Sequence, residues 1–130
     1  MSAGNRNIGK ITKGLYDTLV ASGYEIFTTR PESVPESLDK FIVVNIPARV
    51  IDLLGYARTV GRVSLYARSK KYNGYIIEDI ATLQSMQDKI YSYLPIKTDN
   101  YIIGNPTSIN LGGDNTGFYV WHINLDITII

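Results

Sequence analysis

The chain has a single histidine, His122, which stands two residues before Asn124 and four before Asp126. A His–Asp pair can orient a general base for a nucleophile. No supporting motif accompanies this one, and a surface or interface histidine is the simpler reading. With one histidine and no cysteine, a zinc site would need unusual ligands. Glu78, Asp79 and Asp88 are conceivable magnesium ligands. Glu78 and Asp79 read more simply as acids favoured by the dipole at a helix start, and Asp88 lies more than two helical turns further on. The run Gly112-Gly113-Asp114-Asn115-Thr116-Gly117 lacks the lysine and following hydroxyl of a phosphate-binding loop and opens no helix. It reads as a hairpin turn. No catalytic, cofactor-binding or metal-binding residue is assigned, and no cofactor is expected.

The densest constellation is basic and aromatic. Tyr56, Arg58, Arg62, Tyr66, Arg68, Lys70, Lys71, Tyr72 and Tyr75 interleave cations with rings. Such a face can grip phosphates and stack bases. It can equally be a solvated strand edge protected from aggregation by charge, or an inter-subunit surface, since arginine and tyrosine are enriched there. No recognised nucleic-acid-binding signature accompanies it. The net charge of +1 conceals an asymmetry. Residues 49–71 set six cations against Asp52 alone, a net +5, whereas residues 72–130 set Lys89 and Lys97 against six acids, a net −4. Unlike charges on separate segments suit contact between identical copies, or a polyanion.

The elements that must carry these residues follow from periodicity. Phe118 to Ile130 alternates strictly, with Tyr119, Trp121, Ile123, Leu125, Ile127 and Ile129 on one side, as in a long strand with one buried face. Tyr101 to Leu111 is its hairpin partner. At the other end, residues 1–6 read as a mobile arm and Asn7 as a helix cap. Ile8, Ile11, Leu15, Leu19 and Val20 then keep helical spacing, and Gly23 sits where a left-handed C-terminal cap belongs. Tyr24 to Thr29 is a short strand, and Arg30 to Ser37 a loop punctuated by two prolines. Phe41-Ile42-Val43-Val44 is apolar on both faces, which predicts a central strand running on through Ile46-Pro47 toward Leu53. Gly55 to Gly61 reads as a hairpin tip and Arg62 to Arg68 as the return strand. There Val63, Leu65 and Ala67 face the core while Arg62, Ser64, Tyr66 and Arg68 face away. A polar turn, Ser69 to Gly74, precedes a second helix that begins near Ile77 on the spacing Ile77, Ile80, Leu83, Gln87, Ile90, Leu94. Pro95 ends it. The order α-β-β-β-α-β-β predicts an α+β domain spanning residues 1–130, with a mostly antiparallel sheet and two helices.

Composition sets the outer bounds. At 130 residues, 45% hydrophobic and 19% charged, the chain is that of a soluble globular domain. The absence of cysteine removes disulfides and thiolate chemistry and suits a reducing cytoplasm. No secretory signal is expected at the N-terminus, and no apolar run approaches the ~20 residues of a membrane span. No membrane partner is expected.

One layout resembles a known family. A helix leads to a short strand, then Thr29-Arg30-Pro31 and a polar loop, then Phe41-Ile42-Val43-Val44. A long hairpin returns through Val63-Ser64-Leu65-Tyr66-Ala67-Arg68, and a second helix and a terminal hairpin follow. This is similar, over nearly the whole chain, to the small tail-completion (tail-terminator) and neck proteins of tailed bacteriophages. The resemblance implies a non-enzymatic structural virion protein, made in the host cytoplasm. It implies a homo-oligomeric ring, hexamer or dodecamer, between portal or adaptor and tail proteins, with DNA passing in the channel. Leu53, Leu54, Tyr56, Arg58, Arg62, Tyr66 and Arg68 are the candidate subunit or partner interface, on a hairpin tip expected to be flexible until covered. A nucleic-acid-binding module using residues 49–71 is the alternative, and a small enzyme built on His122 a third.

Overall fold

Ile11, Leu15 and Leu19 recur on one side of the first helix, α1 (Ile8–Val20), and all three are buried. Gly23, at φ 82°, turns the chain out of it in the left-handed conformation that glycine adopts without Cβ strain. The computed structural model describes residues 8–46 and 50–130. The arm at residues 1–6, the Asn7 cap and the continuation of the central strand through Pro47 lie outside these.

After α1 the chain forms β1 (Glu25–Phe27), β2 (Lys40–Asn45), β3 (Ile51–Leu53) and β4 (Tyr56–Arg68), then β5 (Lys70–Tyr72) and β6 (Tyr75–Ile77). The second helix, α2 (Ile80–Tyr91), and β7 (Ile96–Lys97), β8 (Tyr101–Gly113) and β9 (Phe118–Ile129) complete it. Seven strands make one sheet in the order β1-β2-β4-β9-β8-β7, with β3 pairing to β4. Only β1 and β2 are parallel; the remaining pairs are antiparallel. The fold is α+β with a mostly antiparallel sheet, as the sequence order implies.

Both helices lie on one face. Ile11, Leu15, Leu19, Leu83, Met86 and Ile90 pack there against Ile42, Val44, Val63, Leu65, Ile123, Leu125 and Ile127. The alternation of β9 holds from Ile123, with Ile123, Leu125, Ile127 and Ile129 all buried in this core, whereas near its start Phe118 and Val120 on the other face are buried and Tyr119 and Trp121 are half-buried. Phe41 and Val43 belong to the opposite face, in a smaller cluster with Phe118, Phe27, Val34, Leu38 and Tyr66. That explains the unbroken apolar run of β2, which is covered on both sides.

Three expectations need correction. The hairpin turn is Leu54-Gly55, not Gly55 to Gly61, because β4 begins at Tyr56 and pairs with β9 along nearly its whole length, from Ala57↔Ile129 to Arg68↔Phe118. Residues 70–77 are a separate two-stranded hairpin rather than a turn leading into a helix. Finally, α2 starts at Ile80, with Asp79 as N-cap accepting from Thr82 N. Its inward residues are therefore Leu83, Met86 and Ile90; Gln87 is only half-buried and Ile80 is exposed.

Candidate functional site

The helix-free face of the sheet divides into a covered half and an open half. Loop 28–39 covers the first. Its Arg30 guanidinium lies over the rings of Phe41, Tyr66 and Phe118, at 5.8, 5.4 and 5.9 Å from their centroids. One nitrogen donates to Asp114 Oδ2 at 2.8 Å and to Thr116 Oγ1 at 2.7 Å, in the β8–β9 turn, and the other donates to the Pro31 carbonyl. Phe41 and Tyr66 stack beneath it at 4.6 Å. Arg68 donates from Nη2 to the carbonyls of Pro35 and Leu38 at 3.2 and 2.9 Å. Its Nε, buried and outside any hydrogen bond, lies 3.5 Å from Asp39 Oδ1.

The open half carries the rest of the candidate residues. Cross-strand register places Arg58 between Ile51 and Thr128, Leu53 beside Tyr56, Val60 beside Asp126, and Arg62 beside Asn124. Leu54, in the turn, is 100% exposed, Val60 54% and Ile51 53%; Leu53 and Tyr56 are near 40% (39% and 41%). On the reverse of the same strand Ala57, Thr59 and Gly61 are buried. Along this part of β4 one face is therefore in the core and the other, apolar, is uncovered, while β3 is exposed throughout. Arg62 Nε donates to Asn124 Oδ1 at 3.1 Å, and Asn105 Nδ2 donates to Asp126 Oδ2 at 3.2 Å. Arg58 is exposed.

Of the seven candidate interface residues, Leu53, Leu54, Tyr56, Arg58 and Arg62 come together on this open half. Tyr66 and Arg68 do not. Tyr66 is half-buried under Arg30, where burial pushes its phenol pKa up, and Arg68 is engaged by loop 28–39. The basic residues of 49–71 thus form no single stripe: Arg68 turns inward, Lys70 Nζ lies 3.8 Å from Asp79, and Arg49 falls outside the described residues. The role of Arg30 was invisible in the sequence, because its partners are 84 and 86 residues away.

The candidate chemistry is dispersed. His122 and Asp126 share a face of β9 but stand four residues apart, about 13 Å along the strand. Burial, and then Arg62, hold the His122 pKa below its ordinary value, so the imidazole is neutral near pH 7. Glu78 accepts from Trp121 Nε1 at 2.8 Å and Asn110 Nδ2 at 3.3 Å. Asp79 caps α2, and the Thr82 hydroxyl, at 2.7 Å, holds its carboxyl below the usual range. Asp88 accepts from Gln84. Among the described residues, no three His, Asp or Glu side chains gather where they could hold a metal. The turn at 114–117 is tied by Asp114, which accepts from Thr116 N at 2.9 Å, while Gly112 and Gly113 belong to β8. A groove of about 370 Å³ beside the open half, lined by Tyr91, Pro95, Ile102, Asn105, Asp126 and Thr128, contains one titratable carboxylate.

No protein-family model matches the chain, and no curated protein matches it. A solved structure whose name carries no functional description is similar over its length. It has a TM-score of 0.54 at 9% identity and covers 100% of this chain and 96% of that one. At that identity the likeness is one of fold. No helix among the described residues is long and apolar enough to cross a membrane.

Proposed function

We propose that the chain is a non-enzymatic structural subunit that assembles with copies of itself into a ring in the neck or tail of a tailed-phage virion, joining portal and tail. The observation that carries this reading is the open half of the sheet. Ile51, Leu53, Leu54, Tyr56 and Val60 leave apolar surface in water, on or beside β4, whose other face is core. Contiguous apolar surface on a rigid scaffold is characteristic of protein–protein contact. The layout of helix, strand, hairpin, helix and hairpin, similar to tail-terminator and neck proteins, supplies the kind of assembly.

The test is the triple variant Leu53→Ser, Leu54→Ser, Tyr56→Ser. Each side chain is substantially exposed, so each substitution should change stability by no more than about 0.5 kcal/mol. The expected result is a folded monomer that no longer enters rings or particles. Normal assembly of the variant would refute the role given to this surface, and outright unfolding would make the tip core.

Binding of nucleic acid by the same face is a second reading, favoured by Arg58 and Arg62 standing four residues apart on one exposed strand face. DNA affinity that falls steeply with salt and is lost in Arg58→Glu/Arg62→Glu would select it.

A further inference from the structure

The hairpin β5–β6 lies outside the seven-stranded sheet and touches the rest of the chain through Lys70, 3.8 Å from Asp79. It pairs only with itself, as Lys70↔Ile77, Lys71↔Ile76 and Tyr72↔Tyr75. Its turn is Asn73-Gly74, with φ of 51° and 83°, the two left-handed residues that give a tight two-residue hairpin. None of its side chains belongs to either apolar cluster. Tyr72, Tyr75 and Ile76 are 64%, 73% and 66% exposed. An isolated two-stranded hairpin is marginal in water, and this one displays apolar side chains beside Lys70 and Lys71 with no acid between residues 69 and 77.

A complementary feature lies at the sheet edge. β1 is the outer strand, paired on one side only. Beside it a groove of about 400 Å³ is lined by Glu25, Phe27, Pro31, Val34, Pro35 and Leu38. Glu25 of the lining is exposed, as are Glu32 and Glu36, each next in sequence to lining residues. The two nearby cations are already engaged, Arg30 by Asp114 and Arg68 by Asp39. The groove is thus apolar within, acidic at its rim, and adjacent to an unpaired strand edge.

We infer that the β5–β6 arm of one copy docks in the proline-loop groove of the next, with Tyr72 and Tyr75, which share one face of the hairpin, against Phe27, Val34 and Leu38 and with Lys70 and Lys71 against the glutamates. The occupant is a second copy of this chain. Arm and groove are opposite in charge and alike in apolar character, and an arm strand can extend the sheet at β1. Joining unlike surfaces makes the contact heterologous, so it propagates and closes into a ring when its rotation permits. The inference rests on the ring-subunit reading and adds to it a contact separate from the open half of the sheet.

The chain contains no cysteine, so disulfide trapping is clean. Tyr75→Cys marks the arm and Ser37→Cys the groove. Oxidation of the two single variants mixed should yield a disulfide dimer, while each alone remains uncross-linked. A chain carrying both should yield a ladder beyond dimer. Adding Lys70→Glu/Lys71→Glu should reduce the yield to background, and adding Glu32→Lys/Glu36→Lys to that chain should restore it. No dimer from the mixture, closure of the double variant within one chain, or equal yield from Tyr75→Cys alone would overturn the contact. So would a finding that the lysine reversals abolish DNA binding and leave no cross-link to rescue. Rings seen by electron microscopy without the cross-link would leave the ring-subunit reading standing and remove this contact; absence of both would remove both.

Discussion

Arg30→Ala removes an ion pair with Asp114, a hydrogen bond to Thr116 and a guanidinium over three rings. The side chains of the ion pair are only 26% and 16% exposed, so solvent screens it less than a surface pair. We expect a loss of about 2 kcal/mol, read from urea denaturation. Arg30→Lys should recover only part of it, because an ammonium lacks the planar fork and the stacking face. A loss below ~0.5 kcal/mol, the range of ordinary surface changes, would contradict the clamp. Two groups at this scale give stability a pH dependence. Burial acts to raise the Asp114 pKa, but hydrogen bonds from Thr116, Arg30 and the backbone outweigh it, so the folded value lies below 3.8. That stabilisation is present above the unfolded pKa and lost as pH falls through the folded one. His122 is depressed from 6.5 by burial and by Arg62. The unfolded chain therefore takes up this proton first, and stability falls as pH drops through 6.5 until the folded imidazole also protonates. Denaturation midpoints between about pH 7 and about pH 5 should decline in the wild type and decline less in His122→Gln; identical profiles would contradict the assignment. None of this was readable beforehand. The sequence flagged His122 by its rarity, whereas Arg30 looked like one cation in a proline loop until the fold brought the rings to it.

At the scale of elements, α1 carries a glycine that its helix propensity argues against. A Cβ on Gly14 would stand 2.0 Å from the Tyr101 hydroxyl oxygen and 3.2 Å from Cζ; Tyr101 lies on β8. Gly14→Ala gains up to about 1 kcal/mol of helix propensity and should nevertheless lower the melting temperature. Tyr101→Phe in that background should recover stability beyond the sum of the single changes, a coupling that a double-mutant cycle reads directly. Additive effects would mean that the two side chains do not meet. Periodicity made the long elements legible: α1, β2, β8 and β9 stand close to where spacing places them. It failed where elements are short or a residue's type misleads. β5 and β6 are three residues each, too few to display a period, although Asn73-Gly74 was a hairpin signal in plain sight. Gly61 suggests a turn in the sequence, yet it lies inside β4, where a Cβ would meet Ile127 Cδ1 at 3.0 Å and Ile46 Cγ1 at 3.4 Å. The glycine there answers to close packing rather than to chain reversal. The start of α2 was displaced because Ile77 and Ile80 continue its apolar spacing outward, while the Asp79–Thr82 cap sets the true boundary.

For the whole molecule, the division of the helix-free face is the feature that bears on assembly. Loop 28–39 seals one half through Arg30 and Arg68, and the other half presents apolar residues with Arg58 and Arg62 among them. Five of the seven candidate interface residues lie on that half, while Tyr66 and Arg68 lie under loop 28–39; outward alternation on a strand does not reveal that a loop returns to cover it. Charge reversal at Arg58 and Arg62 should leave folding within about 0–1 kcal/mol of wild type, as for exposed charges generally, while cutting incorporation into particles. Equal damage to both would place these arginines in the fold rather than the interface. The central claim is that this chain works as one of many copies around an axis. Electron microscopy of particles from cells expressing the chain with its neighbouring virion proteins tests that most directly. The account predicts six or twelve copies in a ring between portal and tail. A protein that stays strictly monomeric and is absent from every assembled particle would contradict it.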